Sequence, residues 1–265
     1  MWHGAITQYV DVAQLVLYMF WAFFFGLVYY LVRENHREGY PMDNGRAEGG
    51  PVITGWPTPA PKIFKTVHGD VAVPDASKDA HIRDLPMAPL YGPGNGGVAY
   101  EPTGNPLTDG VGPAAFTPRA DRPDEDFTGK PKLVPLRNLA AAGYSVAERD
   151  LDPRGLPVIA ADGEVGATVR DLWLDVSEML VRYFEISVNT PTGVRNVLMP
   201  REFAVIKKTR GNEHLDCVAL TAAQFAGVPG MKNPDVVTLD EEERVVAYFG
   251  GGMLYATPNR AEPLF

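Results

Sequence analysis

The sequence holds a single cysteine, Cys217, in 265 residues. That excludes an internal disulfide and suits a reducing compartment. Its neighbours Leu215, Val218 and Leu220 mark it as a packed core thiol rather than a nucleophile. Metal-ligand spacing is also missing. His3, His36, His68, His81 and His214 pair with no other His, Cys or carboxylate at a recognisable interval, which argues against a dedicated structural metal site. No Gly-x-Ser-x-Gly, His-Glu-x-x-His or Walker sequence occurs, so no catalytic constellation is visible. The run Gly92-Pro-Gly-Asn-Gly-Gly97 lacks the preceding strand and following helix of a phosphate-cradling loop and reads as a plain loop. Positive charge is scarce: the formal net charge is −9 and the sequence pI about 5.1. No basic stripe of the kind that binds nucleic acid is present.

Two further absences are the most informative. Met1 to Asp11 contains no Lys or Arg, and Val12 to Val32 contains no charge at all. About 21 residues at ~1.5 Å rise give a helix of about 31 Å, matching a ~30 Å hydrocarbon core. A helix satisfies its own backbone in lipid. A cleaved signal peptide would need a basic start, a shorter apolar core and a small-residue cleavage site, and none is seen. The charges resume abruptly at Arg33 and Arg37. That asymmetry places the N-terminus outside the cytoplasm and everything after residue 33 inside it. Arg33, Arg37, Tyr29, Tyr30 and Tyr40 are the expected membrane-interface residues. Ala22 and Gly26 form a small-xxx-small pair that lets another helix approach closely.

After the span the chain changes character twice. Tyr40 to Pro135 holds 16 of the 24 prolines, so this stretch is expected to be extended and loop-rich. It nevertheless keeps Ile63, Phe64, Val71, Val73, Tyr100 and Phe116, and a partner surface would give them cover. From about Leu136 short apolar runs alternate with turns. Strands are expected at Leu156–Ala160, Ala167–Asp175, Met179–Val188, Asn196–Met199, Phe203–Lys208 and His214–Leu220. Such spacing suggests a small antiparallel barrel. Two capping boxes follow, Thr221-Ala-Ala-Gln224 and Thr238-Leu-Asp-Glu241. The second opens a longer helix expected to end at Gly250-Gly251-Gly252. The expected layout is an N-terminal flank 1–11, a transmembrane helix 12–32, an extended segment 33–135, a barrel domain with C-terminal helix 136–258, and a tail 259–265.

This order of parts resembles the H subunit of the photosynthetic reaction centre of purple bacteria, whose soluble part is a PRC-type barrel. The resemblance covers essentially the whole length. It is carried by the span, by Arg37-Glu-Gly-Tyr-Pro41, by Gly104-Asn-Pro-Leu-Thr-Asp-Gly-Val-Gly-Pro113 and by Gly155-Leu-Pro-Val158. Asp171-Leu-Trp-Leu-Asp175 and Gly250-Gly-Gly-Met-Leu-Tyr-Ala-Thr-Pro258 complete it. It implies a non-enzymatic subunit, with no pigment, haem or quinone as its principal ligand, that caps the cytoplasmic face of the L and M subunits. Those subunits would carry the complex's bacteriochlorophyll, bacteriopheophytin, quinones and non-haem iron. Core antenna subunits would surround the complex, with boundary lipids and a cytochrome subunit as optional additions. The setting would be the intracytoplasmic photosynthetic membrane.

The resemblance also implies a part in carrying protons to the secondary quinone. Glu178 matches the buried carboxylate nearest the quinone pocket, Asp175 its neighbour, and Arg182 a compensating cation. Asp126 matches the acid at the point of proton uptake, with Glu125 beside it. Asp235 and Glu242 match outer carboxylates of the same region. Thr128 and Lys130 stand where some family members carry two metal-binding histidines, which counts against a surface metal site here. Two other classes remain open at this point: a membrane-anchored cytoplasmic enzyme, and an adaptor built on the same barrel. The missing nucleophile and cofactor loop oppose the first. The span and the acidic balance oppose an RNA-linked adaptor.

Overall fold

The computed structural model describes residues 4–37, 59–73, 75, 85–90, 99–209 and 211–260. They fall into two compact units, residues 1–84 with 89–99, and residues 85–88 with 100–265.

The first unit is built on helix α1, Val12–Asn35. Asp11 caps it, its Oδ1 accepting from the Gln14 N–H at 2.7 Å, which satisfies one of the otherwise free first-turn donors. None of its residues is buried within the chain. A helix apolar on every side and covered by nothing of its own needs lipid or other helices around it. A hairpin follows, β1 (Lys62–Thr66) and β2 (Gly69–Val73), paired antiparallel with Phe64 opposite Val71. It is tied to the end of α1. Lys62 and Arg37 both pair with Glu34, and the Arg37 guanidinium also donates to the Ala60 carbonyl. Tyr40 and residues 38–58 lie outside the described residues.

The second unit holds the core. Strands β3 (Met87–Pro89) and β4 (Tyr100–Pro102) form a two-stranded ladder. The main sheet contains β5 (Leu133–Pro135), β6 (Pro157–Ile159), β7 (Val165–Asp175), β8 (Leu180–Thr190), β9 (Gly193–Pro200), β10 (Ala204–Thr209) and β11 (Asn212–Cys217). Its order is β10-β11-β6-β7-β8-β9, with β5 added to β7. A short helix α2 (Leu136–Leu139) follows β5. All pairings are antiparallel except β6 with β11, where Val158 stands beside Leu215 in parallel. The sequence suggested purely antiparallel strands, but the excursion through β7 to β10 brings the chain back in the direction of β6. No closed ring of strands forms among the described residues. A 3-10 turn at Arg201–Phe203 separates β9 from β10, leaving an open path. The long strands β7 and β8 are buried on both faces along their middles, at Asp171–Trp173 and Tyr183–Ile186, and Trp173, Ile186, Leu198 and Leu215 are fully buried. Cys217 is buried among them, and that burial pushes its thiol up from the ordinary range.

Helix α3, Leu239–Tyr255, closes the core by packing on β9 and on the 3-10 turn Gly112–Ala114. Its capping box is formed as expected. Thr238 and Glu241 exchange side-chain bonds with each other's backbone N–H at 3.3 and 3.0 Å. The helix does not stop at Gly250-Gly251-Gly252 but runs through them. These glycines provide close approach rather than a cap. A Cβ on Gly252 would sit 2.3 Å from the Ala219 carbonyl oxygen, and one on Gly251 2.7 Å from Ala114 Cβ. Phe249 is buried between, its ring 5.7 Å from that of Phe203 and stacked on it.

Candidate functional site

The turn from β7 to β8 gathers three of the residues singled out in the sequence. Asp175 ends β7 and is buried. Its Oδ1 accepts the backbone N–H groups of Ser177 and Glu178 at 2.9 and 3.0 Å, and its main-chain carbonyl accepts from Met179 at 2.8 Å. Met179 completes the turn at a φ of 57°, in the left-handed region, alone in this among the described non-glycine residues. Arg182, on β8, turns back over the turn. Its Nη2 donates to Glu178 Oε2 at 3.1 Å, and its Nε lies 3.5 Å from Asp175 Oδ2. Glu178 is 56% exposed on this chain. Within this chain the carboxylate expected to be buried is open to solvent.

Two elements close on this turn. The segment before β5 brings Lys132, whose carbonyl accepts from the Val176 N–H at 2.9 Å. Its Nζ lies 2.8 Å from Asp124 Oδ2. That bond raises the Lys132 pKa, and the charges of Asp175 and Glu178 add to the effect. Helix α3 brings Glu242, a half-buried carboxyl that accepts from the Tyr183 hydroxyl at 2.9 Å. Burial raises its pKa to about 7. The Tyr183 bond and Arg182 oppose that rise, while Asp124 and Asp175 add to it. The Tyr183 phenol is pushed well above its own ordinary value by burial and by Glu242. The pair borders an open groove of about 380 Å³ that also touches Arg119, Phe203 and Glu243.

Asp126 and Glu125 lie on the loop just before Lys132. Asp126 Oδ1 accepts from the Thr128 hydroxyl at 2.6 Å and from the N–H groups of Thr128 and Lys130 at 2.7 and 3.1 Å. The Thr128 hydroxyl leads in holding this carboxyl below the usual range. Thr128 and Lys130 thus organise an aspartate turn. Glu125 pairs with Pro131 across the same loop.

Asp235 belongs to a different network. It accepts from Arg137 at 3.0 Å and from Asn138 at 3.2 Å. Arg137 also pairs with Asp171 at 3.1 Å and with Glu185. Glu185 is fully buried, and it accepts from the Trp173 indole and from Arg170, each at 3.0 Å. Two arginines and an indole therefore compensate a carboxylate that would otherwise be costly inside the core. Tyr183, Asp124, Lys132, Arg137, Arg170 and Glu185 were not picked out from the sequence, whereas Asp235 was.

Four of the five residues expected at a membrane interface lie at the end of α1. Arg33 is exposed in the last turn of α1, Tyr29 and Tyr30 sit one turn earlier, and Arg37 lies just beyond its end. Ala22 and Gly26 are exposed, and a Cβ on Gly26 would meet nothing within 4 Å in this chain. Among the described residues, no group of three or more His, Cys, Asp or Glu is placed to hold a metal ion.

The fold defines a protein in which one helix, long and apolar enough to cross a membrane, precedes a mainly-β domain with a C-terminal helix packed on it. A family model for the photosynthetic reaction centre H-chain N-terminal region matches residues 4–138, and one for the PRC-barrel domain matches residues 146–212. The first covers more than half of the chain, which therefore belongs to the photosynthetic reaction centre H-chain family. It is a reaction-centre subunit of the photosynthetic membrane, and its apolar helix fits a single span.

Proposed function

We propose that this chain caps the cytoplasmic face of the L and M subunits, steadies the secondary quinone site and passes protons toward the reduced quinone. The supporting observation is the cluster at the β7–β8 turn. Asp175, Glu178 and Arg182 are mutually bonded there, with Lys132, Asp124 and the Tyr183–Glu242 pair close by. Proton delivery needs exchangeable groups spaced for hydrogen bonds or bridging water. The acids Asp124, Glu125 and Asp126 offer uptake from solvent. Glu242, with a pKa of about 7, can gain and lose a proton at working pH. Glu178 stands exposed at the outer tip, ready to be enclosed by the docked partner.

In this reading the chain binds no pigment and runs no chemistry of its own. Bacteriochlorophyll, bacteriopheophytin, the quinones and the non-haem iron reside in L and M. The N-terminus faces the periplasm and the β-domain the cytoplasm, as the Arg33 and Arg37 asymmetry suggests. Core antenna subunits and lipid surround the assembly. Asp235, half exposed and paired with Arg137, stands as an outer carboxylate of the same relay.

Selective removal of this chain from the purified complex tests the proposal. Transfer of the second electron to the secondary quinone should slow while the first charge separation is kept, and adding the chain back should restore it. Unchanged second-electron kinetics in the stripped complex would refute the role.

A further inference from the structure

The β1–β2 hairpin is exposed on a chain whose other long strands bury one side. All five residues of β1 are exposed, with Ile63 at 66%, Phe64 at 50% and Val67, at the tip, at 95%. A lone two-stranded hairpin is marginal in water, and exposed apolar patches mark contact with protein or membrane. The register sorts its side chains into two faces. Lys62, Phe64, Val71 and Val73 share one, and Ile63, Lys65, Asp70 and Ala72 the other. Lys65 stands opposite Asp70, so the second face carries paired charge, while the first carries Phe64, Val71 and Val73 between Lys62 and Thr66.

The direction of the first face is set by Lys62. Its Nζ lies 6.0 Å from the Tyr30 ring centroid and pairs with Glu34. Tyr30 is one helical turn nearer the membrane than Glu34. The face that carries Lys62 is therefore turned toward the bilayer end of α1, and by alternation Phe64, Val71 and Val73 look the same way. The bond from Arg37 to the Ala60 carbonyl holds the start of the hairpin at that level. This continues the belt of Tyr29 and Tyr30, where amphipathic rings and long cations settle at headgroup depth.

We infer that the β1–β2 hairpin is a second membrane contact, lying in the headgroup zone with its Phe64 face against the lipid and its Lys65–Asp70 face in water. The partner is the bilayer surface around the helix. The inference rests on α1 spanning the membrane.

The test places a nitroxide on Phe64→Cys, Val71→Cys or Lys65→Cys in the assembled complex, in vesicles of phosphatidylcholine and phosphatidylglycerol. Cys217 is buried, which keeps its own labelling low. Collisions with oxygen report lipid, and collisions with a water-soluble nickel chelate report solvent. Labels at 64 and 71 should favour oxygen, and the label at 65 should favour nickel. Nickel access at 64 and 71 would overturn the inference in favour of a solvated hairpin. Closure of both sites to both reagents would overturn it in favour of a protein partner. A label on Met19→Cys shut off from nickel shows that the span is inserted, so a failure at the hairpin is separable from a failure of the span.

Discussion

The Tyr183 hydroxyl on β8 donates to Glu242 Oε2 on α3 at 2.9 Å, joining the strand that carries Arg182 to the helix that closes the core. Glu242 follows the N-terminal box of α3 directly, where the helix dipole favours its charged form. Burial outweighs that preference and the tyrosine bond together, and the carboxyl titrates near pH 7.

Glu242→Gln should therefore remove one carboxyl that titrates near neutrality, visible as the loss of its C=O band in pH-dependent infrared spectra. The sign of the stability linkage follows. Below the ordinary value of 4.5 both folded and unfolded chains hold the proton and no penalty applies. As pH rises from there to about 7, the unfolded chain releases its proton first and the native state loses stability. At roughly 1.4 kcal/mol per pKa unit the loss is at most about 3.5 kcal/mol. The Gln variant should escape it, so its stability relative to the parent should rise across that window. A flat difference between pH 4 and 8 would contradict the burial account.

Arg137→Ala should destabilise the β-domain by roughly 3–5 kcal/mol, because it leaves the buried Glu185 and Asp171 short of a partner. The lower end is expected, since Arg137 is itself partly exposed and Arg170 remains. Asp235→Asn should cost far less, as Asp235 is half exposed. Thermal unfolding of the two variants checks the ranking.

Gly252→Ala should destabilise the α3 packing by roughly 1–3 kcal/mol, as overpacked sites do, because its Cβ meets the Ala219 carbonyl oxygen. Gly26→Arg should instead act on assembly. A charge near the helix middle costs about 2.5–3.5 kcal/mol on insertion scales, while Gly26 has no neighbour in its own chain to clash with. The measurements are chain stability for the first and yield of assembled complex for the second.

Much of this was legible in the sequence, for physical reasons that can be named. The span shows in the uncharged run from Val12 to Val32, since lipid forbids charge more strictly than any protein core does. Strands β7 and β8 show because their apolar runs are bounded by Gly, Pro, Asn and Asp, and both capping boxes were readable from four residues each. The glycine run misled because a helix-ending glycine and a close-packing glycine are the same letter. Only the contacts of Gly251 and Gly252 with Ala114 and Ala219 tell them apart. Tyr183 and Glu242 lie 59 positions apart, and no local pattern links them. Glu185 did leave a signal, an acid within the apolar run Tyr183-Phe184-Glu185-Ile186. Its partners come from two separate places in the chain, Arg137 on α2 and Arg170 with Trp173 on β7. The resemblance, not the spacing, pointed to Asp175, Glu178 and Arg182, and the turn geometry explains how they come together.

The most direct measurement is flash spectroscopy of the assembled complex carrying Glu178→Gln. Gln keeps the size and can still bond Arg182, but it cannot release and regain a proton. The account predicts a slower second electron transfer to the secondary quinone, which waits on protons, with the first charge separation unchanged. Asp175→Asn should act the same way but more weakly. A second-electron rate equal to the parent's across pH, in fully assembled Glu178→Gln complex, would contradict the relay and leave Glu178 a surface partner of Arg182.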